Sequence, residues 1–218
     1  MLRTGHLSPV SRGYFISFEG GEGVGKSTQI QRLSARLILA GHRLVATREP
    51  GGSPGAESIR DLVLRGSADR WSPLTETLLM YAARRDHIER VINPALDRGD
   101  YVVCDRYADS TRAYQGVAGG VDSQLIDALE QHVLQAARPD LTLIFDLDPE
   151  IGLARASKRA GDEMRFESKG LAFHSRLRAA FLKIAIDEPA RCVVIDASGT
   201  PDQVDAQIWK VVTDRARD

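Results

Sequence analysis

Short apolar runs alternate with longer amphipathic stretches along most of this chain. Tyr14–Phe18, Leu44–Thr47, Tyr101–Cys104, Leu141–Phe145 and Cys192–Ile195 are brief and rich in apolar residues. Such runs read as strands buried on both faces. Between them, helical stretches are predicted over Lys26–Ala40, Ala56–Leu64, Leu74–Arg98, Ser123–Gln135, Pro149–Arg155, Phe166–Asp187 and Pro201–Arg215. Strand–helix alternation marks a parallel sheet covered by helices. The pattern therefore predicts an α/β fold with a five-stranded parallel sheet. Gly41 and Gly99 stand where the first and third helices end, offering the left-handed stop that helix C-termini favour. There is no internal repeat, heptad register, low-complexity segment or dividing linker. The 218 residues read as a flexible leader over 1–12 and one domain over 13–218.

The polar residues collect where the strands are expected to end. Glu19–Ser27 follows the first, Arg48–Gly52 the second and Asp105–Gln115 the third. In parallel sheets ligands gather beyond the carboxyl ends of the strands, so three clusters on that edge predict one composite site. The first cluster contains Gly20-Gly21-Glu22-Gly23-Val24-Gly25-Lys26-Ser27, which fits G-x-x-x-x-G-K-S/T. In that pattern backbone N–H groups wrap nucleotide phosphates, and glycines permit the close approach. Lys26 carries a cation to the β/γ-phosphates, Ser27 offers a hydroxyl to Mg²⁺, and Thr28 continues into the helix whose positive end faces the same anion.

Asp105-Arg106 closes the apolar run Val102-Val103-Cys104. An Asp there can act as a Walker-B-like Mg²⁺ group and Arg106 can grip a phosphate with two nitrogens, the alternative being an Asp–Arg pair that merely caps the strand end. Arg48 is a candidate second phosphate clamp and Glu49 a candidate outer Mg²⁺ group, although Pro50-Gly51-Gly52 as a bare pattern is only a turn signal. Between Arg155 and Arg178 there are seven basic residues, Arg155, Lys158, Arg159, Arg165, Lys169, Arg176 and Arg178, against Asp162, Glu163 and Glu167. Gly161 and Gly170 bracket the middle. The segment reads as a short mobile lid around 155–169 that would exclude water and neutralise a transferring phosphoryl group. Without the loop, the same run would read as a solvated helix face.

Composition excludes more than it suggests. The net charge of −1 gives no field that would draw nucleic acid or an anionic membrane, and no apolar run approaches a bilayer span. Two cysteines, Cys104 and Cys192, lie in separate strand-like runs, and the five histidines show no metal-ligand spacing. Reduced, buried thiols in the cytoplasm are expected. A switch GTPase is disfavoured because no guanine-reading N-K-x-D occurs, and the D-x-x-G at Asp196–Gly199 follows the last strand.

Phe18-Glu19-Gly20 through Thr28, Thr47-Arg48-Glu49-Pro50-Gly51-Gly52, Asp105-Arg106-Tyr107, and Ser110-Thr111 with Ala113-Tyr114-Gln115-Gly116 resemble the bacterial thymidylate kinases. The similarity extends from Tyr14 to about Ala206. It implies a P-loop kinase fold and transfer of the γ-phosphate of ATP to dTMP with Mg²⁺, in a cytoplasmic homodimer. Gly20 to Thr28 would hold the ATP phosphates, and Glu22 would reach the acceptor's 3′-hydroxyl. Arg48 and Arg106 would grip the dTMP phosphate. Arg60, Arg84, Ser110, Thr111 and Gln115 would line the acceptor pocket, Arg84 toward a thymine carbonyl and Thr111 and Gln115 along the base edge. Tyr114 would crowd the sugar's 2′ position. Because the loop interior Gly21-Glu22-Gly23-Val24 has no base, the resemblance points to a lid arginine, Arg155, Arg159 or Arg165, as the catalytic one.

One departure stands out. The family stacks a phenylalanine on thymine four residues before the arginine matched by Arg84, and this chain has Met80 there, followed by Tyr81. Either residue can meet the base, or both are helix core. Two other readings stay open on these residues: a kinase for dUMP, dCMP or a deoxynucleoside, and a non-catalytic sensor that binds ATP.

Overall fold

The computed structural model describes residues 12–67, 70–157 and 169–216. Of the expected leader only Arg12 falls among them, and it donates to both oxygens of Asp140 at 2.9 Å. Most of the expected lid, including Arg159 and Arg165, lies outside the described residues.

Five strands, β1 (Phe15–Gly20), β2 (Leu44–Arg48), β3 (Tyr101–Asp105), β4 (Leu141–Asp146) and β5 (Cys192–Asp196), form one parallel sheet in the order β2-β3-β1-β4-β5. Each matches an expected strand to within one or two residues at its ends. The connection leaving β1 runs toward one edge and the one leaving β3 crosses β1 to the other side, which opens a crevice at the carboxyl ends of these neighbours. Register then brings the chemistry level: Asp105 is partnered by Phe18 on β1 and by Arg48 on β2.

Both sheet faces are covered, which is why the strands read as continuous apolar runs. On one face Ile16, Phe18, Val103, Leu143, Phe145 and Ile195 meet α1 (Lys26–Leu39) through Ile30, Leu33 and Leu37, and α9 (Pro201–Arg215) through Val204, Ile208 and Val212. On the other, Phe15, Val102 and Cys104 pack against Tyr81 of the helix at Pro73–His87 and against Ile126 and Leu134 of the helix at Ser123–Leu134. Ile144 and Cys192 pack against Phe173, Leu177 and Phe181 of the helix at Leu171–Asp187. In chain order the helices between α1 and α9 are α2 (Pro54–Leu64), α3 (Pro73–His87), α4 (Asn93–Asp97), α5 (Ala108–Thr111), α6 (Ser123–Leu134), α7 (Pro149–Ala156) and α8 (Leu171–Asp187).

The helix expected over Leu74–Arg98 is not continuous. α3 gives way to a π-helical turn at Ile88–Ile92 before α4, and the Asn93 N–H bonds back to Ile88 O. Pro94 is the physical reason: it has no N–H for the carbonyl four residues back, and a widened turn absorbs the break. A second π-helical segment, Arg112–Val117, follows α5 and carries Tyr114 and Gln115. The sequence pattern showed neither α5 nor this segment.

α5 is anchored from the far side of the sheet. Arg191, just before β5, donates to Asp109 Oδ2 at 2.7 Å and Oδ1 at 2.8 Å, to Thr142 Oγ1 at 2.7 Å and to Glu188 Oε2 at 2.7 Å. Asp109 is 2% exposed and its other cation, Arg112, stands farther off at 3.9 Å, so removing Arg191 leaves a buried charge poorly compensated. Arg191→Leu should therefore lower the unfolding free energy by about 3 kcal/mol in urea titration. A loss below about 1 kcal/mol would show that the pair does not hold α5.

Candidate active site

The loop after β1 is shaped by its glycines at two places above all. Gly23 has φ +69, and a Cβ there would lie 1.9 Å from Gly152 O on α7. Gly25, at φ 94, ends the loop in the left-handed region and starts α1, whose first turn has neither a side-chain cap nor an acidic residue. The helix thus presents uncapped N–H groups and an unopposed positive end to the loop.

Lys26 is buried in that loop, with Nζ donating to Gly21 O at 2.9 Å and Gly20 O at 3.2 Å. Arg106 reaches the same carbonyl from β3: its Nη1 donates to Gly20 O at 2.9 Å and its Nη2 to Glu22 Oε1 at 3.0 Å. The backbone at Arg106 makes this possible. Its N–H closes the β1–β3 ladder on Phe18 O at 2.9 Å, and a φ of 67 then turns the chain so that the side chain crosses the end of β1. Glu19 catches the turn, accepting the Tyr107 N–H at 2.7 Å and the Ser110 hydroxyl at 2.6 Å.

Burial and crowding set the charges here. Burial, with Arg106 nearby, brings Lys26 down to about 8 despite Asp105, Glu22 and Glu19. Burial and then Asp109 push Glu19 up to about 8. Burial also pushes Glu22 upward, but Arg106, Lys26 and the Tyr114 hydroxyl at 2.7 Å hold it at about 2. Burial works against the Arg106 cation, and Tyr114, Glu22 and Asp105 more than restore it. Arg106 also lies 5.0 Å from the centre of the Tyr114 ring.

Ser27 Oγ donates to Asp105 Oδ2 at 3.1 Å, so two hard oxygen ligands meet at the mouth of the loop. Among the described residues no group of three or more His, Cys, Asp or Glu is placed to hold a metal. Two protein oxygens completed by phosphate and water suit Mg²⁺, which keeps waters and shares its sites with substrate phosphates.

A cleft of about 860 Å³ runs from Gly23–Ser27 past Arg48, Arg60, Met80 and Arg84 to Tyr114 and Gln115. Asp105, Arg106, Ser110 and Thr111 line it as well. Arg48 is tethered to Glu57 Oε2 at 3.2 Å, and Arg60 donates to Pro50 O at 2.6 Å. Gln115 donates to Glu76 Oε1 at 2.7 Å.

Some expected residues stand elsewhere. Met80 lines the cleft, whereas Tyr81 is buried in the core, 4.8 Å below the Arg84 guanidinium. The two are adjacent on α3 and so point about 100° apart. Glu49 lines the same cleft as Ser27 and Asp105, but both its oxygens are engaged: Oε2 accepts from Arg84 Nε at 2.6 Å and Oε1 faces His87 Nδ1 at 3.0 Å. Thr28 is exposed on α1 and outside the cleft lining. Arg155 is exposed on α7 and also outside that lining. His87 and Glu57 carried no sequence signal of their own. Only the three-residue spacing from Arg84 on a helix hints that His87 shares its face.

A phosphate loop, a hard-oxygen pair and arginines converging on one cleft beside a 2-3-1-4-5 parallel sheet define a P-loop kinase. The family model described as thymidylate kinase matches residues 18–208. A thymidylate kinase of Caulobacter vibrioides is 65% identical over 94% of this chain and 99% of the relative, and one of Bradyrhizobium diazoefficiens is 55% identical over 94% and 90%. The crystal structure of a thymidylate kinase from Ehrlichia chaffeensis superposes with a TM-score of 0.76 at 34% identity, covering 92% of this chain and 99% of that one. The chain belongs to the thymidylate kinase family, whose known activity is phosphorylation of dTMP by ATP.

The charges predict a pH dependence. As pH rises through about 8, Lys26 loses its cation and Glu19 becomes an anion, and both changes weaken the pull on phosphate. The kcat/KM for ATP, which reports the free enzyme, should fall above a midpoint of about 8. In Glu19→Gln the limb should persist through Lys26 alone. A limb lying above about pH 10, in the ordinary lysine range, would contradict this picture of the site.

Proposed function

We propose that this chain transfers the γ-phosphoryl group of ATP directly onto the phosphate of dTMP. The observation that carries the reading is the meeting of Lys26 and Arg106 at Gly20 O. A cation from the nucleotide loop and one from the end of β3 converge there, where a phosphoryl group passing between two anionic ligands needs both.

Gly20 to Thr28 bind the ATP phosphates, with Lys26 exchanging its loop carbonyls for β/γ oxygens. Ser27 and Asp105 would hold Mg²⁺, which would supply positive charge against that growing on the donor phosphates. Arg106 and Arg48 hold the dTMP phosphate in line with the donor. An oxygen of that phosphate attacks Pγ, the bond from Pγ to the bridging oxygen breaks, and ADP leaves with the electron pair. The nucleophile is already an anion, so no general base is required. Positioning and charge neutralisation supply the rate. Arg155, Arg159 and Arg165 are the candidates to add positive charge when a lid over 155–169 closes.

Glu22, held ionised, accepts from the 3′-hydroxyl; an ionised carboxylate can only accept. Tyr114 stands against the sugar. Met80 rather than Tyr81 meets the base, on the support that Met80 lines the cleft. Arg84, Ser110, Thr111, Gln115 and Arg60 complete the pocket. The buried, unpaired Cys104 and Cys192 suit a reducing compartment, and we place the enzyme in the cytoplasm. Leu74 and Leu78, one turn apart on α3 and 47% and 49% exposed, with Leu62 of α2 at 42%, support a homodimer.

Release of ADP from ATP and Mg²⁺ with dTMP, dUMP, dCMP, AMP or thymidine offered separately tests the reading. dTMP should exceed dCMP by at least about a hundredfold in kcat/KM. Activity centred on another acceptor would keep the kinase chemistry and overturn the base pocket. Folded, ATP-binding protein with no acceptor-dependent ADP would overturn catalysis and favour a nucleotide sensor.

A further inference from the structure

Along one wall of the cleft runs a line of polar side chains in which Thr47, His87 and Glu49 have no role above; Thr47 and Glu49 line the cleft with Arg84 and Thr111, and His87 is buried behind them. Thr47 Oγ1, near the end of β2, lies 2.7 Å from His87 Nε2. His87 Nδ1 is 3.0 Å from Glu49 Oε1, and Glu49 Oε2 accepts from Arg84 Nε at 2.6 Å. Arg84 Nη2 continues to Tyr107 O and to Thr111 Oγ1, each at 3.1 Å. His87 is 0% exposed and Arg84 2%. Arg84 Nη1 is buried and has no partner, on a residue that lines the cleft.

The line has a direction. An ionised carboxylate only accepts, so His87 Nδ1 donates to Glu49 and Nε2 is left facing the Thr47 hydroxyl. Arg84 and His87 sit three residues apart on one face of α3, and each takes one oxygen of the same carboxylate. Glu49, gripped on both oxygens, cannot rotate away from Arg84. Gly52 closes over the joint: at φ +88 its missing Cβ would lie 2.4 Å from His87 Nε2 and 2.5 Å from Thr47 Oγ1.

We propose that His87, backed by Thr47, is a positioning residue for base recognition, which through Glu49 fixes Arg84 with Nη1 toward the cleft to read a carbonyl of the acceptor's pyrimidine. A guanidinium nitrogen only donates, so a correctly held Nη1 favours a ring carbonyl over a ring amino group. A loosened one loses that distinction. The inference rests on the reading of the cleft as a dTMP site.

The test is steady-state kinetics with dTMP, dCMP and ATP varied in turn. In His87→Leu the KM for dTMP should rise about tenfold and the preference for dTMP over dCMP should narrow about tenfold, with the KM for ATP within about twofold. His87→Asn, which keeps an N–H near the Nδ1 position, should recover most of both. Equal losses with dTMP and dCMP together with a shifted ATP KM, or an Asn variant no better than Leu, would overturn the proposal. Should His87→Leu fail to fold, Thr47→Val decides. A rise of about two- to threefold in the dTMP KM alone is expected there, and wild-type values would overturn the proposal. Wild-type protein without a preference for dTMP would defeat the underlying reading as well; a wild-type preference that survives in the variants defeats this inference alone.

Discussion

The site depends on two cations sharing one carbonyl. Lys26 and Arg106 both donate to Gly20 O, and bringing like charges together in a buried place is costly unless anions offset them. Glu22 does so from within the loop and Asp105 from the end of β3. Glu19 answers a different need. Fully buried beneath the loop, it accepts the Tyr107 N–H and the Ser110 hydroxyl, and so pins the left-handed turn that aims Arg106 across β1. A bulky residue at φ 67 is strained by about 1–2 kcal/mol. The turn persists because the β1–β3 ladder and Glu19 define the backbone on both sides of it. Electrostatic preorganisation of this kind is effective because the protein meets the cost on folding rather than during the reaction.

The same logic holds where the base would sit. Arg84 is buried in a place that would be prohibitive for a lone charge, and Glu49 neutralises it at 2.6 Å while Tyr81 and Tyr107 flank it at 4.8 and 5.2 Å. Removing either member of such a pair typically costs about 3–5 kcal/mol, since the other is left uncompensated. Recognition and folding are therefore coupled at this point. The arginine proposed to read the base is also the counter-ion of the buried Glu49 carboxylate.

Much of the fold was legible because strands buried on both faces leave an unmistakable apolar run, and the loop because phosphate binding demands glycines at fixed spacing. What was not legible depends on contacts between distant segments. Glu49 reads as a metal group beside Arg48, and nothing local reveals an Arg84 35 residues away. Met80 and Tyr81 are indistinguishable until the rotation of α3 is known; then one lines the cleft and the other joins the core. The helix expected over Leu74–Arg98 takes no account of Pro94, and the π-helical turn that absorbs the break has no local signature. α5 and the π-helical segment carrying Tyr114 and Gln115 are short and polar, without the periodicity that betrays a longer helix. Arg155 drew notice through a local excess of charge, a pattern that says nothing about where a side chain points.

The central claim is that Arg106 belongs to the reacting centre and not merely to the turn that carries it. Single-turnover phosphoryl transfer by Arg106→Met, at saturating ATP, Mg²⁺ and dTMP, tests this most directly, because it isolates the chemical step from binding. The account predicts a rate lowered by about a hundredfold or more, with ATP still bound through the loop. A rate within about tenfold of the wild type, from folded protein, would contradict it.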